Sequence, residues 1–435
     1  MSKKKGFLDC YREKLKTPEV IVSELENGSQ LVTDNSMGAP TLLMQALSER
    51  LDREKDYLVT VHTLLDVESF PLYHKAAHKR IGVSWFSGKG ARRAVAHGLG
   101  DVMPCCYKDM ASIFRQWIEV DAFLVMVSPM DKHGYFSTGI IGSNCDTLFH
   151  KAKRIYVEVN PHMPRVASAP LVHISSITAL CESDNPLPEA EKIPLDEVSR
   201  TIGALVGQCV PDGATIQLGI GAIPNAVGDC LKCKHDLGLH TELLTDKMVE
   251  LIECGAVTNQ KKEIHRGRTV AAFAYGTKYL YEYLDDNPAV NILPVEYVNE
   301  PSVIGQLSNF ISVNSALQVD FWGQVCAESI GSYHVSGTGG QLDYVRGAAL
   351  SPGGKSFIAF PSTAKNGTVS RIVPMLDLGA IVTTNKNEVD CIVTEYGLAK
   401  LKGQTLSART KALIAIAHPR FRQELRRKAE EMKIL

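Results

Sequence analysis

Short apolar and β-branched runs recur along this chain, each closed off by Gly, Pro, Asn or Asp. They include residues 30–33, 57–62, 122–127, 154–159, 214–218 and 269–273. Runs this short, with apolar side chains at successive positions, are expected where both faces of a strand are covered, as in a parallel sheet between helices. Between them lie longer stretches with apolar residues every three or four positions. Residues 40–51 carry Leu42, Leu43, Leu47 and Leu51 in this way, and residues 224–231 and 407–417 read similarly. Strand and helix in alternation point to an α/β architecture with mainly parallel sheets. The basic stretch at 420–433 reads as a solvated surface helix.

At 435 residues the chain has room for two to four domains, and two large ones are the simplest division. The stretch 181–192 is rich in proline and acid and poor in apolar residues, as an exposed linker would be. It sets an N-terminal domain at 1–185 and a C-terminal domain at 190–435. The two halves repeat one device. Asn27-Gly28 leads into a strand and then Gly38-Ala39-Pro40, while Asp212-Gly213 leads into a strand and then Gly219-Ile220-Gly221-Ala222-Ile223-Pro224. Each reads as turn, strand, glycine loop and a helix with proline near its first position.

Lys and Arg number 47 against 48 Asp and Glu, so no global positive field exists to hold nucleic acid or an anionic membrane. Eleven scattered cysteines are not a secreted disulfide framework and fit a reducing compartment. Cys230 and Cys233 form a lone C-x-x-C pair without the second pair a structural zinc needs, so they read as free thiols on a helix, and no metal is expected. The charged start of the chain has no apolar segment after it, and no stretch reaches the ~18 apolar residues of a membrane span. The expected location is the cytoplasm.

Two glycine-rich segments and three acids are candidates for chemistry. Gly219 to Ile223 follows an expected strand and opens an expected helix, where glycine permits close backbone approach and free helix N–H groups favour a phosphate or carboxylate. Pro224 stands in place of the third glycine of a dinucleotide fingerprint, and strand-to-helix packing explains the loop equally well. Gly337, Gly339 and Gly340 form an anion nest or a plain hairpin turn, with Gln341 and Asp343 adding polar groups. Glu242 lies about twenty residues after the first glycine loop, near a probable strand end, and strand ends in α/β sheets converge on one crevice. Glu328, in an apolar setting, and Glu158 are rival acids, and a capping or surface role is open for each. Residues 351–355 read as a turn, and His173 and His334 as structural. No nucleophile elbow, zinc helix or P-loop is present.

The ordered succession of residues 219–224, 239–242, 339–348 and 361–365, with 38–41 and 158–164 in the first half, resembles the class I coenzyme A transferases. It is most similar to their 4-hydroxybutyrate/butyrate and acetyl-CoA hydrolase–transferase branch, from about residue 15 to 425. The resemblance implies two similar open α/β domains, an active site between them, and a homo-oligomer. It implies acyl-CoA and a short-chain carboxylic acid as partners, with coenzyme A as substrate and no separate cofactor. By motif position Glu242 is the catalytic residue, forming a glutamyl-CoA thioester. Gly219, Ile220, Gly221, Ala222, Ile223, Gly339, Gly340, Gln341 and Lys365 would lie against CoA. The activity implied is CoA transfer between acetyl-CoA and 4-hydroxybutyrate or butyrate; hydrolysis of acyl-CoA at the same site and a non-catalytic ligand-binding module are the alternatives. A glutamate with an ordinary pKa of about 4.3 would be ionised at neutral pH and need no general base, unlike a serine hydroxyl.

Overall fold

The computed structural model describes residues 6–66, 72 and 82–435; the charged start at 1–5 lies outside the described residues. The chain forms two compact units, one of residues 1–190 with 271–297 and the other of residues 191–270 with 298–435. The segment 271–297 therefore packs with the residues that precede the linker. A backbone bridge joins Ile141 to Phe273, the Tyr281 hydroxyl donates to Pro188 O at 2.6 Å, and Arg115 pairs with Glu296 at 2.6 Å.

In the first unit seven strands form one sheet: β1 (Gln30–Asn35), β2 (Thr60–Leu64), β3 (Gly82–Phe86), β4 (Gly100–Val102), β5 (Ala122–Val127), β6 (Arg154–Val159) and β7 (Ala179–Glu182). Their order is β4-β3-β2-β1-β5-β6-β7, and every neighbouring pair is parallel. All six residues of β5 are buried, as coverage on both faces requires. Helix α1 (Thr41–Arg53) follows β1 and buries Leu43, Met44, Leu47 and Leu51 against the sheet.

Pro40 occupies the N-cap of α1 and offers no side-chain acceptor to the first turn. Glu158, buried on β6, supplies one instead. Its carboxylate accepts from Leu42 N at 2.9 Å, Leu43 N at 3.3 Å and Thr41 Oγ1 at 3.2 Å. Burial raises its pKa, and those hydrogen bonds oppose the rise. Glu158 is thus the cap of a buried helix end, the duty that Asp or Ser performs from within the chain elsewhere.

The second unit begins with helix α2 (Glu197–Gln208), strand β8 (Thr215–Leu218), helix α3 (Ala222–Leu231) and strand β9 (Gly238–Leu244). It continues with β10 (Ile311–Asn314), α4 (Gln341–Leu350), β11 (Lys355–Ala359), β12 (Cys391–Thr394) and β13 (Gly397–Lys400). Within the unit the order is β9-β8-β10-β11-β12-β13, parallel except for the last pair. The strand Thr269–Ala274 runs across the unit boundary. Helices Leu406–Ile416 and Pro419–Glu431 close the chain where the sequence placed them.

The repeated device is present in both units. In each, a turn with a left-handed glycine (Gly28 at φ 85°, Gly213 at φ 73°) enters a strand that has its successor on one side and a later strand on the other. The prolines differ from expectation: Pro40 is an N-cap, and Pro224 is the third residue of α3. Both positions are tolerated, because the N–H that proline lacks is among those a helix start leaves unpaired. The C-x-x-C pair is packing. Gly207 of α2 leaves only the room that Cys230 fills, since a Cβ there would meet the Cys230 Cβ at 2.8 Å, and Cys233 Sγ turns back to Cys230 O at 3.3 Å. Both are free thiols.

Among the described residues no helix is long and apolar enough to cross a membrane, and no cluster of His, Cys, Asp and Glu could hold a metal. Replacement Glu158→Ala leaves the part-buried Leu42 N–H and the buried Leu43 N–H without these acceptors. It should cost roughly 1–3 kcal/mol, read as a lower urea midpoint at unchanged slope.

Candidate active site

At β8 the strand order of the second unit reverses direction, with β9 on one side and β10 on the other. Beyond the carboxyl ends of such strands an open parallel sheet leaves a crevice. Gly219 continues β8 into that crevice, its N–H donating to Val313 O at 3.3 Å. Gly221 has φ 123°, a conformation L side chains rarely adopt, and it forms the N-cap of α3 without a side-chain acceptor. Ile220 is 55% exposed, whereas Ile223 turns inward and is buried. Ala222 and Ile223 stand in the first turn of α3, where a helix start leaves N–H groups without intrahelical partners. Below the loop, Ser312 Oγ donates to Gln217 Oε1 at 2.9 Å, and Asn314 Nδ2 donates to Ser312 Oγ at 2.9 Å, bracing the two strand ends.

Glu242 is on β9. The parallel register pairs Thr215 with Gly238 and Ile216 with Leu239, and counting forward sets Glu242 level with Gly219. Asn299 Nδ2 donates to Glu242 Oε2 at 2.6 Å, and the Tyr344 hydroxyl donates to Asn299 Oδ1 at 3.1 Å. Asn299 and Tyr344 are fully enclosed. Gly340, the N-cap of α4, lies against this pair. A Cβ there would fall 2.0 Å from Glu242 Oε2 and 2.4 Å from Asn299 Nδ2. Its φ of −97° suits any residue, so it is space, not backbone conformation, that requires glycine here. Gly339, at φ 58°, is the residue whose backbone needs glycine.

The structure thus joins Glu242 with Gly340. Gln341 is buried and committed elsewhere: its Nε2 donates to Ser315 O at 2.7 Å, and its Oε1 accepts from Thr384 Oγ1 at 3.0 Å, which ties the start of α4 to the end of β10. Lys365 is exposed at the tip of the hairpin formed by Thr363–Ala364 and Val369–Ser370, and is not among the partners of Glu242. Glu328 is held by two hydroxyls, Thr383 Oγ1 at 2.8 Å and Thr338 Oγ1 at 3.4 Å. Asn299 and Tyr344 were not foreseen. Nothing local marks Asn299, which follows the short helical turn Val295–Val298, and Tyr344 reads as a core aromatic.

Burial raises the Glu242 pKa to about 7, and the Asn299 hydrogen bond works against that rise. The side chain keeps a partial opening to solvent, but the protein packed around it dominates. This corrects the expectation of full ionisation at neutral pH: desolvation, absent from any reading of an isolated glutamate, holds part of the population protonated. Nearby, His240 is buried and pushed down to about 3, and its Nε2 bonds Val298 O at 2.7 Å. Lys262, buried and lowered to about 7, donates to Leu239 O at 2.8 Å and Arg268 O at 2.7 Å. It braces the strand that carries Glu242 rather than pairing with its carboxylate.

Chains of the same kind are known. Residues 1–190 match the acetyl-CoA hydrolase/transferase N-terminal domain, and residues 276–429 the C-terminal domain. The 4-hydroxybutyrate coenzyme A transferase of Clostridium kluyveri is 44% identical over 96% of this chain and 97% of its own. The succinyl-CoA:cyclohexane-1-carboxylate CoA transferase of Geobacter metallireducens is 43% identical over 99% and 98%. Among solved structures, RipA from Yersinia pestis superposes with a TM-score of 0.92 at 38% identity, covering 99% of this chain and all of that one. A 4-hydroxybutyrate CoA-transferase from Porphyromonas gingivalis gives 0.80 at 33% identity over 98% of this chain. The fold is that of the CoA-transferases, enzymes of the transferase class. Within that class the chain belongs to the acetyl-CoA hydrolase/transferase family.

Two outcomes follow from the geometry. With the ionised carboxylate as the reactive form, kcat/KM should rise with pH through about 7 in a pH-rate series and level off above it. Gly340→Ala should displace the carboxylate and cost on the order of 100-fold in kcat while leaving the fold intact by circular dichroism.

Proposed function

We propose that this protein moves coenzyme A between an acyl-CoA and a short-chain carboxylate, acetyl-CoA with 4-hydroxybutyrate or butyrate being the favoured pair, and that Glu242 carries CoA between half-reactions. The observation that carries the proposal is the Glu242 carboxylate, anchored by Asn299 and lying against Gly340 at the strand-order reversal. The choice of acids draws on the name of the 44% identical relative.

A carboxylate suits this exchange because it stands in for the donor acid and then for the acceptor. A Glu242 oxygen attacks the acyl-CoA carbonyl carbon, the carbon–sulfur bond breaks, and CoA leaves as thiolate, giving a mixed anhydride. The thiolate then attacks the glutamyl carbonyl carbon, and the anhydride bond on that side breaks. The donor acid leaves as carboxylate, and glutamyl-CoA thioester remains. The acceptor carboxylate runs the same steps backwards. Each attack builds an oxyanion, and one well-placed N–H donor is worth about 2.7–4 kcal/mol. Asn299 Nδ2 is positioned to meet the charge that develops on Oε2. Anhydride formation is uphill, and binding of the remote CoA arm can offset it.

In this reading Gly219, Ile220, Gly221, Gly339 and Gly340 form the backbone surface on which the CoA arm lies, and Ala222 and Ile223 offer N–H groups. Gln341 contributes by fixing the loop, and Lys365 supplies a charge to a CoA phosphate. Coenzyme A is a substrate, and the path calls for no other cofactor. The eleven scattered cysteines, which do not form a secreted disulfide framework, support a cytoplasmic setting, and a homo-oligomer is carried over from the family resemblance. The wild-type protein incubated with acetyl-CoA and digested should show CoA on the peptide containing Glu242, released by hydroxylamine, and Glu242→Ala should lose both adduct and transfer. Undiminished transfer in that variant, or CoA on a peptide bearing Glu328, would reassign the nucleophile.

A further inference from the structure

An asparagine amide is two-ended, and only its N–H end suits an ionised carboxylate; turned by half a rotation, Oδ1 would face the Glu242 oxygen and repel it. At its outer end, Asn299 Oδ1 accepts from the Tyr344 hydroxyl at 3.1 Å. That hydroxyl is fixed in place. Tyr344 is 1% exposed, its ring stacks on Phe310 with centroids 6.0 Å apart and planes 19° from parallel, and its N–H donates to Gly340 O. The helix that brings Gly340 to the carboxylate therefore also brings the group that orients the asparagine.

Building on the reading of Glu242 as the CoA carrier, we propose that Tyr344 is a positioning residue. By donating to Asn299 Oδ1 it turns the amide so that Nδ2 engages Oε2, which leaves Oε1 as the attacking oxygen. The charged groups facing the phenol are Glu242 and Asp343, and both, with burial, keep it protonated and hence able to donate. Donation into Oδ1 also polarises the amide and makes Nδ2–H a stronger donor to the carboxylate. The effect reaches the substrate only through Asn299.

Tyr344→Phe removes the hydroxyl and keeps the ring that packs on Phe310. The expected result is a fall in kcat of about 3- to 10-fold with KM for acetyl-CoA within about twofold. The acid limb of the pH-rate profile should move upward by about half a unit to one unit, because a weaker Asn299 bond favours the ionised form less. In an Asn299→Ala background the same replacement should change neither quantity. An unchanged rate and acid limb in Tyr344→Phe, or an equal loss in the Asn299→Ala background, would overturn the proposal even though CoA is still captured on Glu242. Absence of CoA on Glu242 in the wild-type protein would instead overturn the reading on which it rests.

Discussion

A carboxylate withdrawn from water is a destabilising element, and much of the second unit serves to hold one. Asn299 meets Glu242 Oε2 at 2.6 Å, and that single contact opposes the burial that pushes the acid up to about 7. A surface glutamate would be ionised yet solvated and poorly nucleophilic, and an apolar pocket without a donor would keep it protonated. Burial and the Asn299 bond together set the balance between these limits, close to the pH at which a cell operates. The strand-order reversal supplies the crevice, the brace of Gln217, Ser312 and Asn314 fixes its walls, and the bare Cα of Gly340 lets helix α4 approach the acid.

The first unit shows the same chemistry put to another use. Glu158 is also buried at the end of a parallel strand, but its oxygens are taken by the first turn of α1. Three donors from a helix end leave no oxygen aimed at a ligand, whereas one amide donor leaves Glu242 with a free one. Two acids in comparable surroundings are thus separated by the number and origin of the N–H groups they meet.

Much of this was legible in the residues. The apolar runs at 122–127 and 154–159 coincide with strands, because full burial on two faces leaves an unbroken apolar signature. Helix ends were less legible: Pro224 sits two places further into α3 than a first-position proline, since any of the unpaired early positions accepts it. The motifs singled out Gly340 and Glu242, and the fold brings these two residues against each other. Gln341 also belonged to a motif, yet its side chain is spent on Ser315 and Thr384. Asn299 and Tyr344 stayed hidden because their importance arises only when distant segments meet, and no local pattern encodes that. The raised pKa was out of reach for the same reason: it comes from the protein packed around the acid. The return of 271–297 to the first unit carries no shift in composition to announce it.

That return has a bearing on how the molecule is made. A ribosome releases residues 191–270 before residues 271–297, so the first unit stays incomplete while a sizeable part of its neighbour is already outside the exit tunnel. Until then Tyr107 and Ile141 lack Phe273, and Pro188 lacks Tyr281, and this is an interval in which a holdase could bind. For the same reason a gene split at the proline-rich linker would not yield two self-sufficient halves, because the downstream fragment would carry off a piece that belongs to the upstream one.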